Sequence, residues 1–505
     1  MADKTMNNSR KKNAILNILI GYIAQIGLLF LSLVGRKIFL SFLSIEYLGI
    51  NGLYSNILSV LSLAELGLDS AAVYSLYEPV ASGNTELTFS LIKYFKKIYY
   101  SVSAGIFVIG LLLIPFLSYV INTDLPSNDL ILYYVLFLSN TVASYFVAHK
   151  VALLSASQEQ RVQKISSLIS SFLLQILHII VLLIWKNYYL YIIATVINTF
   201  LYNFILSRLC DRIHPELKKH QTGIDFETKP ITSRIRHTLM YKLGVVAINN
   251  TDNILISSLV STAAVGLYSN YYVVISAVQG FISVVTTSMI SGIGNLAVSG
   301  NRRRQLEIFN MLLMFYHFLA ALGGIGFGLL FNNLITLWLG NEYLFNSNTV
   351  SIISFNFYIS CIVNPVWMYR EANGLFKDVK YLIIVRAMFN ITFSVLLGYK
   401  FGTFGILLAT AVSLLITSFW FEPRILFRKV FNCSEKYFWI KQFKYSILSV
   451  ISLVVCNYVV YIIKDTALGL ILKAIVIVIV TSSIFSVGLC KSSEFRGILE
   501  MIKKK

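Results

Sequence analysis

The sequence predicts an all-α membrane protein, a polytopic bundle of about 14 transmembrane helices built from two parallel six-helix lobes and a C-terminal helix pair. Long apolar stretches recur along its 505 residues, and the polar gaps between them are short. Hydrophobic residues make up 57% of the chain and charged residues only 13%, with a mean hydropathy of +0.73. Because soluble domains contain about 25% charged residues, this composition excludes a string of soluble domains.

Fourteen apolar stretches are long enough to cross a bilayer, for which a helix needs about 20 residues. They lie near residues 14–43, 47–79, 98–121, 130–155, 165–185, 188–208, 238–260, 266–298, 306–338, 348–372, 380–400, 403–427, 438–463 and 466–490. Several are longer than one bilayer thickness, so we expect those helices to tilt or to protrude from the membrane.

The positive residues are concentrated in every second gap. With the N-terminus in the cytoplasm, 36 of the 42 Lys and Arg residues lie in cytoplasmic segments and adjoining helix ends. Only Lys186, Lys400 and Lys464 fall in external loops. This asymmetry predicts a multi-pass membrane protein with both termini in the cytoplasm. It also argues against nucleic-acid binding despite the net charge of +19, because the positive residues form no single patch.

The spacing of the spans predicts four parts of the chain. The longest polar stretch follows the sixth span and is interpreted as a cytoplasmic linker, attached to the membrane surface by its Lys and Arg residues. The predicted parts are an N-terminal six-helix lobe (1–210), the linker (211–237), a C-terminal six-helix lobe (238–430), and a C-terminal helix pair with a cytoplasmic tail (431–505).

The two lobes resemble each other in sequence. A shift of 217 residues aligns Gly49 with Gly266, Tyr54 with Tyr271 and Ser82-Gly83-Asn84 with Ser299-Gly300-Asn301, and a shift of 215 aligns Ala194-Thr195 with Ala409-Thr410. The order of these matches and their nearly constant offset indicate a duplication. Because six spans return the chain to the same side, the repeats are expected to be parallel, as in some transporters.

No cofactor or metal site is expected. None of the five cysteines forms a CxxC motif, and no Cys/His cluster has the spacing of a zinc site. The glycine-rich run 323–328 lies inside the ninth span and lacks the preceding strand and the Lys-Ser/Thr of a phosphate-binding loop. Helix packing or a bend explains this run better than nucleotide binding.

Ionisable residues within spans are the main functional candidates, because a charge in a bilayer is costly unless it faces a partner or a wet cavity. Arg36 and Lys37 lie late in the first span, directly after Gly35. Adjacent residues point to different sides of a helix, so at least one of the two is expected to face the protein interior. Such a cation could bind an anionic group such as a pyrophosphate. The alternative is that the side chain extends to the outer lipid headgroups.

Three acidic residues extend this set of candidates. Glu65 and Asp69 are four residues apart on one face of the second span, and they could pair with Arg36 or Lys37 or carry a proton or a sodium ion. Asp252 is the only acid of the seventh span. We expect it to face a cavity, with a structural hydrogen bond or salt bridge as the alternative.

Further cations, among them Arg370 and Arg386, lie near the predicted cytoplasmic ends of their spans. They are expected at the membrane interface, where they would at most line a basic vestibule for an anionic lipid headgroup.

Three segments resemble the opening of the polysaccharide flippases of the Wzx type. They are Gly35-Arg36-Lys37, residues 47–54 (YLGINGLY) and residues 65–69 (ELGLD), and residues 264–268 (AVGLY) repeat part of the pattern. These flippases belong to the multidrug/oligosaccharidyl-lipid/polysaccharide (MOP) superfamily, with the lipid II flippases and the MATE drug exporters. The resemblance covers most of the chain and depends on the order of degenerate motifs and on the topology.

The resemblance implies a flippase that moves an undecaprenyl-pyrophosphate-linked oligosaccharide from the cytoplasmic to the outer leaflet by alternating access, for the synthesis of a cell-surface polysaccharide. Its partners would be this lipid-linked substrate, membrane lipids and a polysaccharide polymerase. Arg36 matches a cation that faces the cavity of lipid II flippases, whereas Lys37 departs from their pattern, in which the next residue is acidic. Arg36, Lys37 and Asp252 are accordingly expected to bind substrate, and Glu65 and Asp69 to form ion pairs or to couple the cycle to an ion.

Other functions are weighed against this one. A MATE-like exporter driven by protons or sodium would need a compact acidic site, and the cations of the first span disfavour a cationic drug. A lipid II flippase would share the topology. A membrane enzyme such as a polymerase or a lipid-sugar transferase usually needs a sizeable catalytic loop, and the short external loops argue against one. The sequence therefore predicts a transporter rather than an enzyme.

Overall fold

The structure is a computed structural model in which the described residues are almost entirely helical, with no β-strand among them. The described residues are 25–62, 68–218, 224–298 and 300–503. The chain divides into two compact units, Met1–Val246 and Ala247–Lys505. The predicted all-α fold is confirmed.

The helices of the first unit are mostly long enough to cross a bilayer. In chain order they are α1 (Gln25–Phe42), α2 (Ile45–Leu61), α3 (Leu68–Ala81), α4 (Thr85–Leu112), α5 (Leu117–Val120), α6 (Ser127–Ser144), α7 (Ala148–Ala156), α8 (Gln160–Trp185) and α9 (Tyr188–Ile213). Short 3₁₀ segments follow α4, α6 and α9.

The second unit continues from a helix that crosses the division between the units. Its helices are α10 (Lys229–Leu259), α11 (Thr262–Val298), α12 (Arg302–Trp338), α13 (Ser347–Ala372), α14 (Phe376–Ile416), α15 (Ser418–Leu426), α16 (Lys436–Tyr461), α17 (Ala467–Leu489) and α18 (Ser493–Lys503). A π-helical turn, Phe427–Phe431, extends α15.

Eleven helical stretches of the described residues are long and apolar enough to cross a membrane. One of them, Phe376–Phe431, contains 56 residues and covers two predicted spans. These spans are separated at Gly402, where φ of 58° and ψ of −140° interrupt the helix. The remaining two predicted spans, the second and the seventh, correspond to α2 with α3 and to α10. The described helices therefore agree with the predicted bundle.

The aligned repeat positions adopt the same local structure in both units. Gly83 and Gly300 have φ of 68° and 71°, a region that glycine enters without steric cost. The side chain of the following Asn84 caps α4 by accepting a bond of 3.0 Å from the Leu87 amide. Asn301 caps α12 in the same way, with 3.0 Å to the Arg304 amide. A helix start of this kind at both aligned positions supports the duplication.

The C-terminal helix pair packs closely within the second unit. Helices α16 and α17 pack against each other and against α12, and Gly488 of α17 allows close approach to Leu448 of α16. The aromatic rings of Phe309, Phe427 and Phe438 meet where α12, the π-helical turn and α16 pack together. The pair is therefore an integral part of the core of the second unit.

The helix α18 is held on this unit by packing against α12 and by an ion pair between Lys441 and the buried Glu494. Lys441 of α16 lies 2.5 Å from the Glu494 carboxylate, and Gly497 allows the α18 backbone to approach Met311. Desolvation raises the pKa of Glu494, but the hydrogen bond and charge of Lys441, with further hydrogen bonds, outweigh it, so that its pKa lies below the usual value. Ionised Glu494 therefore favours the docked helix.

We expect α18 to remain docked until the pH falls below the usual titration range of glutamate. A lowered folded-state pKa adds stability above the unfolded-state pKa, which is about 4.3, and this stability is lost as the pH falls through the folded-state value. The mobility of a spin label at Glu500→Cys should increase only in that acidic range. In Glu494→Gln the label should already be mobile at neutral pH, and equal mobility of the two proteins there would contradict the prediction.

Candidate functional site

The two cations of α1 have different surroundings. Gly35 of α1 packs against Gln175 and Ile179 of α8 at ordinary contact distance, since a Cβ atom at this position would lie 3.5 Å from Gln175 Oε1. Arg36 is partly buried at this contact, whereas Lys37, about 100° further around the helix, is exposed. The structure thus separates the two predicted binding residues, and only Arg36 lies among interior side chains.

Arg36 lies beside a cluster of aromatic and polar groups. It interacts electrostatically with Tyr191 of α9. The Tyr191 ring stacks on His178 of α8, with ring centroids 3.7 Å apart, and His178 Nε2 lies 2.9 Å from the Thr195 hydroxyl. Phe39 contacts Tyr191 edge-on at 5.2 Å. At such a surface, the guanidinium of an arginine can donate hydrogen bonds to a multivalent anion while the methylene groups of its side chain pack against the aromatic rings.

The acidic pair of the second span is described only in part. Glu65 lies outside the described residues. Asp69 lies in the first turn of α3 and accepts a hydrogen bond of 2.5 Å from the Tyr99 hydroxyl of α4. Its partner in the described structure is therefore a tyrosine, and neither Arg36 nor Lys37.

Asp252 lies in a network of polar side chains of the second unit. Its Oδ2 atom accepts a hydrogen bond of 2.9 Å from the Thr410 hydroxyl, and Asn390 Nδ2 donates to the same hydroxyl at 3.1 Å. The Thr251 hydroxyl lies 3.5 Å from Asn390 Oδ1. Asp252 Oδ1 and the Ser394 hydroxyl, one helical turn after Asn390, are buried without a hydrogen-bond partner among the described residues. The carboxylate therefore has one oxygen available to a proton or a small cation.

The two sites occupy matching positions of the repeat. Asp252 aligns with Gly35 at the shift of 217, and Thr410 aligns with Thr195 at the shift of 215. The shift of 215 also aligns Asn390 with Gln175, the residue that faces Gly35. At matching places in the repeat, the first unit therefore has the cation Arg36, next to Gly35, and the second unit has the acid Asp252.

A second charged group lies deeper in the second unit. Arg370 Nη1 of α13 donates to Glu422 Oε2 of α15 at 2.9 Å, and the two side chains are 3% and 4% exposed. Arg386 of α14 is 9% exposed and interacts electrostatically with both Glu422 and Asp252. The expectation that Arg370 and Arg386 lie at the membrane interface is wrong, because both are buried in the helix packing of this unit.

A narrow cleft of about 10 Å³, room for about one water molecule, adjoins this group. Its polar lining comes from three helices, and each of four lining side chains has a buried atom without a hydrogen-bond partner among the described residues. They are Arg386 Nε, Ser418 Oγ, Glu422 Oε1 and Gln442 Oε1. Buried polar groups are nearly always hydrogen-bonded, so four in one cleft indicate a place built for water or for a side chain that moves.

Comparison with known structures identifies this architecture. A structure of the lipid II flippase MurJ in the inward closed conformation superimposes with a TM-score of 0.69 at 16% identity, covering 94% of this chain and 100% of that one. An inward-facing multidrug resistance MATE family transporter of the MOP superfamily gives 0.60 at 14% identity, covering 81% and 99%. The Vibrio cholerae MATE transporter VcmN in the bent form gives 0.52 at 16% identity, covering 81% and 96%.

The chain has the fold of the MOP transporters. No protein-family model and no curated protein matches its sequence. With its apolar helices, the MOP fold identifies a multi-pass membrane protein. The structural neighbours are transporters and flippases rather than enzymes.

Sequence analysis did not select Glu422, Asn390 or Thr410 as functional residues. The alignment of Thr195 with Thr410 is a signal for this region, because it marks a position retained in both halves. Asn390 and Thr410 lie on α14 and Glu422 on α15, and the fold brings Thr410 to Asp252, which precedes it by 158 residues.

We expect Thr410→Val to destabilise the protein, because it leaves both oxygens of the buried Asp252 carboxylate without a donor. An unsatisfied buried polar group costs about 1–3 kcal/mol, and the free energy of unfolding in detergent should fall by an amount of this order. Thr410→Ser retains the hydroxyl and is the matched control. Equal stability of the valine and wild-type proteins would remove Thr410 from the network.

Proposed function

We propose that this protein is a flippase that moves an undecaprenyl-pyrophosphate-linked oligosaccharide from the cytoplasmic to the outer leaflet of the bacterial cytoplasmic membrane. The sugars and the pyrophosphate cannot cross hydrocarbon without a polar path, whereas the polyprenyl tail is soluble in lipid. A polysaccharide polymerase would use the product. The single observation that carries the proposal is the partly buried Arg36 in a MOP fold that retains the C-terminal helix pair.

The helix pair favours a flippase over an exporter. The MurJ structure covers 94% of this chain and the MATE structure of the MOP superfamily 81%. The difference of about 13% of the chain is close in length to the segment from α16 to α18. This supports a substrate class closer to that of MurJ, a lipid-linked saccharide, than to the drugs exported by MATE proteins.

Arg36 is proposed to hold the pyrophosphate of the substrate. Its guanidinium can donate to two phosphate oxygens at once, and the adjacent Tyr191 and Thr195 add hydroxyl groups. The exposed Lys37 would contribute through its charge only. A cation at this position repels a cationic drug, so it disfavours the MATE-like alternative.

Asp252 is proposed to couple transport to an ion rather than to contact the pyrophosphate directly, because a carboxylate repels phosphate. The hydrogen-bonded Oδ2 fixes the side chain and Oδ1 remains available, an arrangement that suits a proton or a monovalent cation. Asp69, through Tyr99, and Glu65 are further candidates for ion pairing or coupling in the first unit.

The proposal is tested with the purified full-length protein in liposomes that contain a fluorescent undecaprenyl-pyrophosphate oligosaccharide. Accessibility of the sugar to an external quencher should rise faster than in protein-free vesicles. Preference for lipid II in a parallel experiment would assign the protein to lipid II flipping. Ion-driven export of a cationic dye, without any lipid movement, would support the MATE-like alternative and contradict the proposal.

We expect Arg36→Ala to reduce flipping about tenfold or more while expression and folding are retained. A charge-assisted hydrogen bond contributes about 1.5–3 kcal/mol, and 1.4 kcal/mol corresponds to a factor of ten. Arg36→Lys should retain part of the rate as a point charge. Lys400→Ala, which removes an exposed cation elsewhere, is the control. If Arg36→Ala flips the substrate at the wild-type rate, the role of Arg36 is contact with lipid headgroups instead.

A further inference from the structure

Arg386 is a buried arginine without a hydrogen bond or ion pair among the described residues. Its side chain is 9% exposed, and its Nε atom is buried without a partner. A guanidinium carries five N–H donors and is always charged. An unpaired charge of this kind is costly in a protein interior, so its position calls for a partner in some state of the molecule.

Two carboxylates compete for Arg386. It interacts electrostatically with Glu422 on one side and with Asp252 on the other. Each carboxylate has one engaged oxygen, bonded to Arg370 in Glu422 and to Thr410 in Asp252. The second oxygen of each, Glu422 Oε1 and Asp252 Oδ1, is buried and has no hydrogen-bond partner in the part of the chain that the structure describes. Arg386 thus lies near two carboxylates that each have an oxygen able to accept a hydrogen bond, and among the described residues it donates to neither.

The net charge of this group depends on the state of Asp252. With all side chains ionised, the cations Arg370 and Arg386 lie among Asp252, Glu422 and the more exposed Glu371, which lies 4.0 Å from Arg370. When a proton or a monovalent cation neutralises Asp252, the attraction of Arg386 to that carboxylate is lost and its attraction to Glu422 remains. In a low-dielectric interior such a change is worth more than it would be in water.

The helix that carries Glu422 is joined to its neighbours by irregular backbone on both sides. Helix α15 has only nine residues. It begins after Thr417, whose φ of −119° and ψ of −95° are not helical, and it continues into the π-helical turn Phe427–Phe431. Pro423 within α15 lacks an amide hydrogen. These breaks allow α15 to shift as a unit, and the narrow cleft beside it is lined by Arg386 and Glu422 together.

We propose that Arg386 is a positioning residue that exchanges between Asp252 and Glu422 when Asp252 binds its coupling ion, and that this exchange shifts α15. The inference rests on the proposed coupling role of Asp252 and names the element that responds to it. Arg386 acts through the two carboxylates and need not contact the transported substrate.

The test measures the distance between spin labels at Trp420→Cys on α15 and Leu337→Cys on α12, both exposed positions of one unit, in the full-length protein with its native cysteines replaced. Distances are recorded in sodium chloride and in choline chloride at constant pH, and in choline chloride at two pH values. In the parent protein either sodium or protons should shift the distance distribution. Arg386→Leu should abolish the shift, and Arg386→Lys should restore part of it.

Two further variants keep the result interpretable. Glu422→Gln retains the packing and an acceptor for Arg370 but removes the second anion, so the shift should be strongly reduced even if Arg386→Leu fails to fold. Arg424→Leu removes an exposed arginine of the same helix, which lies 3.9 Å from Glu435, and should leave the shift unchanged.

The outcomes separate this inference from the proposed function. A shift that persists in Arg386→Leu, or the absence of any shift in the parent protein, overturns the role of Arg386 even if the liposomes show flipping. The protein could instead show an ion-dependent shift that requires Arg386 but fail to flip the oligosaccharide. That result would support the exchange of Arg386 and contradict the proposed substrate.

Discussion

The energetic cost of a polar group in an apolar helix bundle determines how this molecule is organised. Within the described residues, charged groups in the spans are gathered beside other polar side chains of the same unit. Asp252 has Thr410 and Asn390 near it, Arg370 has Glu422, and Arg36 has Tyr191. Because the surrounding side chains cannot solvate a charge, each group depends on its neighbours being held in place by the helix packing.

The duplication explains how one framework supports two kinds of chemistry. Gly35 and Asp252 occupy matching positions of the repeat. The position that has no side chain and lies against α8 in the first unit therefore has a carboxylate in the second. The facing Gln175 and Asn390 both present an amide. Amides donate and accept hydrogen bonds and therefore accommodate a site of either sign. Under the proposed function, divergence of a few side chains would be enough to give one half a group that binds an anion and the other a group that binds the coupling ion.

The sequence predicted the fold well, since span length and the distribution of Lys and Arg follow directly from bilayer thickness and orientation. It predicted the site less well. Periodicity could show that Arg36 and Lys37 point apart, but not that Arg36 meets Tyr191, which is more than one hundred and fifty residues away. Arg370 and Arg386 were expected at the membrane interface because they lie near span ends. Only the tertiary packing shows that these ends are covered by neighbouring helices.

The arrangement around Glu422 is costly in any single state. Removing one partner from a buried ion pair typically costs about 3–5 kcal/mol, so an arginine left between two acceptors lowers the stability of the state that contains it. Such a cost persists in a transporter when another state of the cycle recovers it, since alternating access needs two states of similar free energy. A fully bonded Arg386 would stabilise one state at the expense of the other. In the proposed exchange, its lack of a bond would keep the second unit between two arrangements of similar free energy.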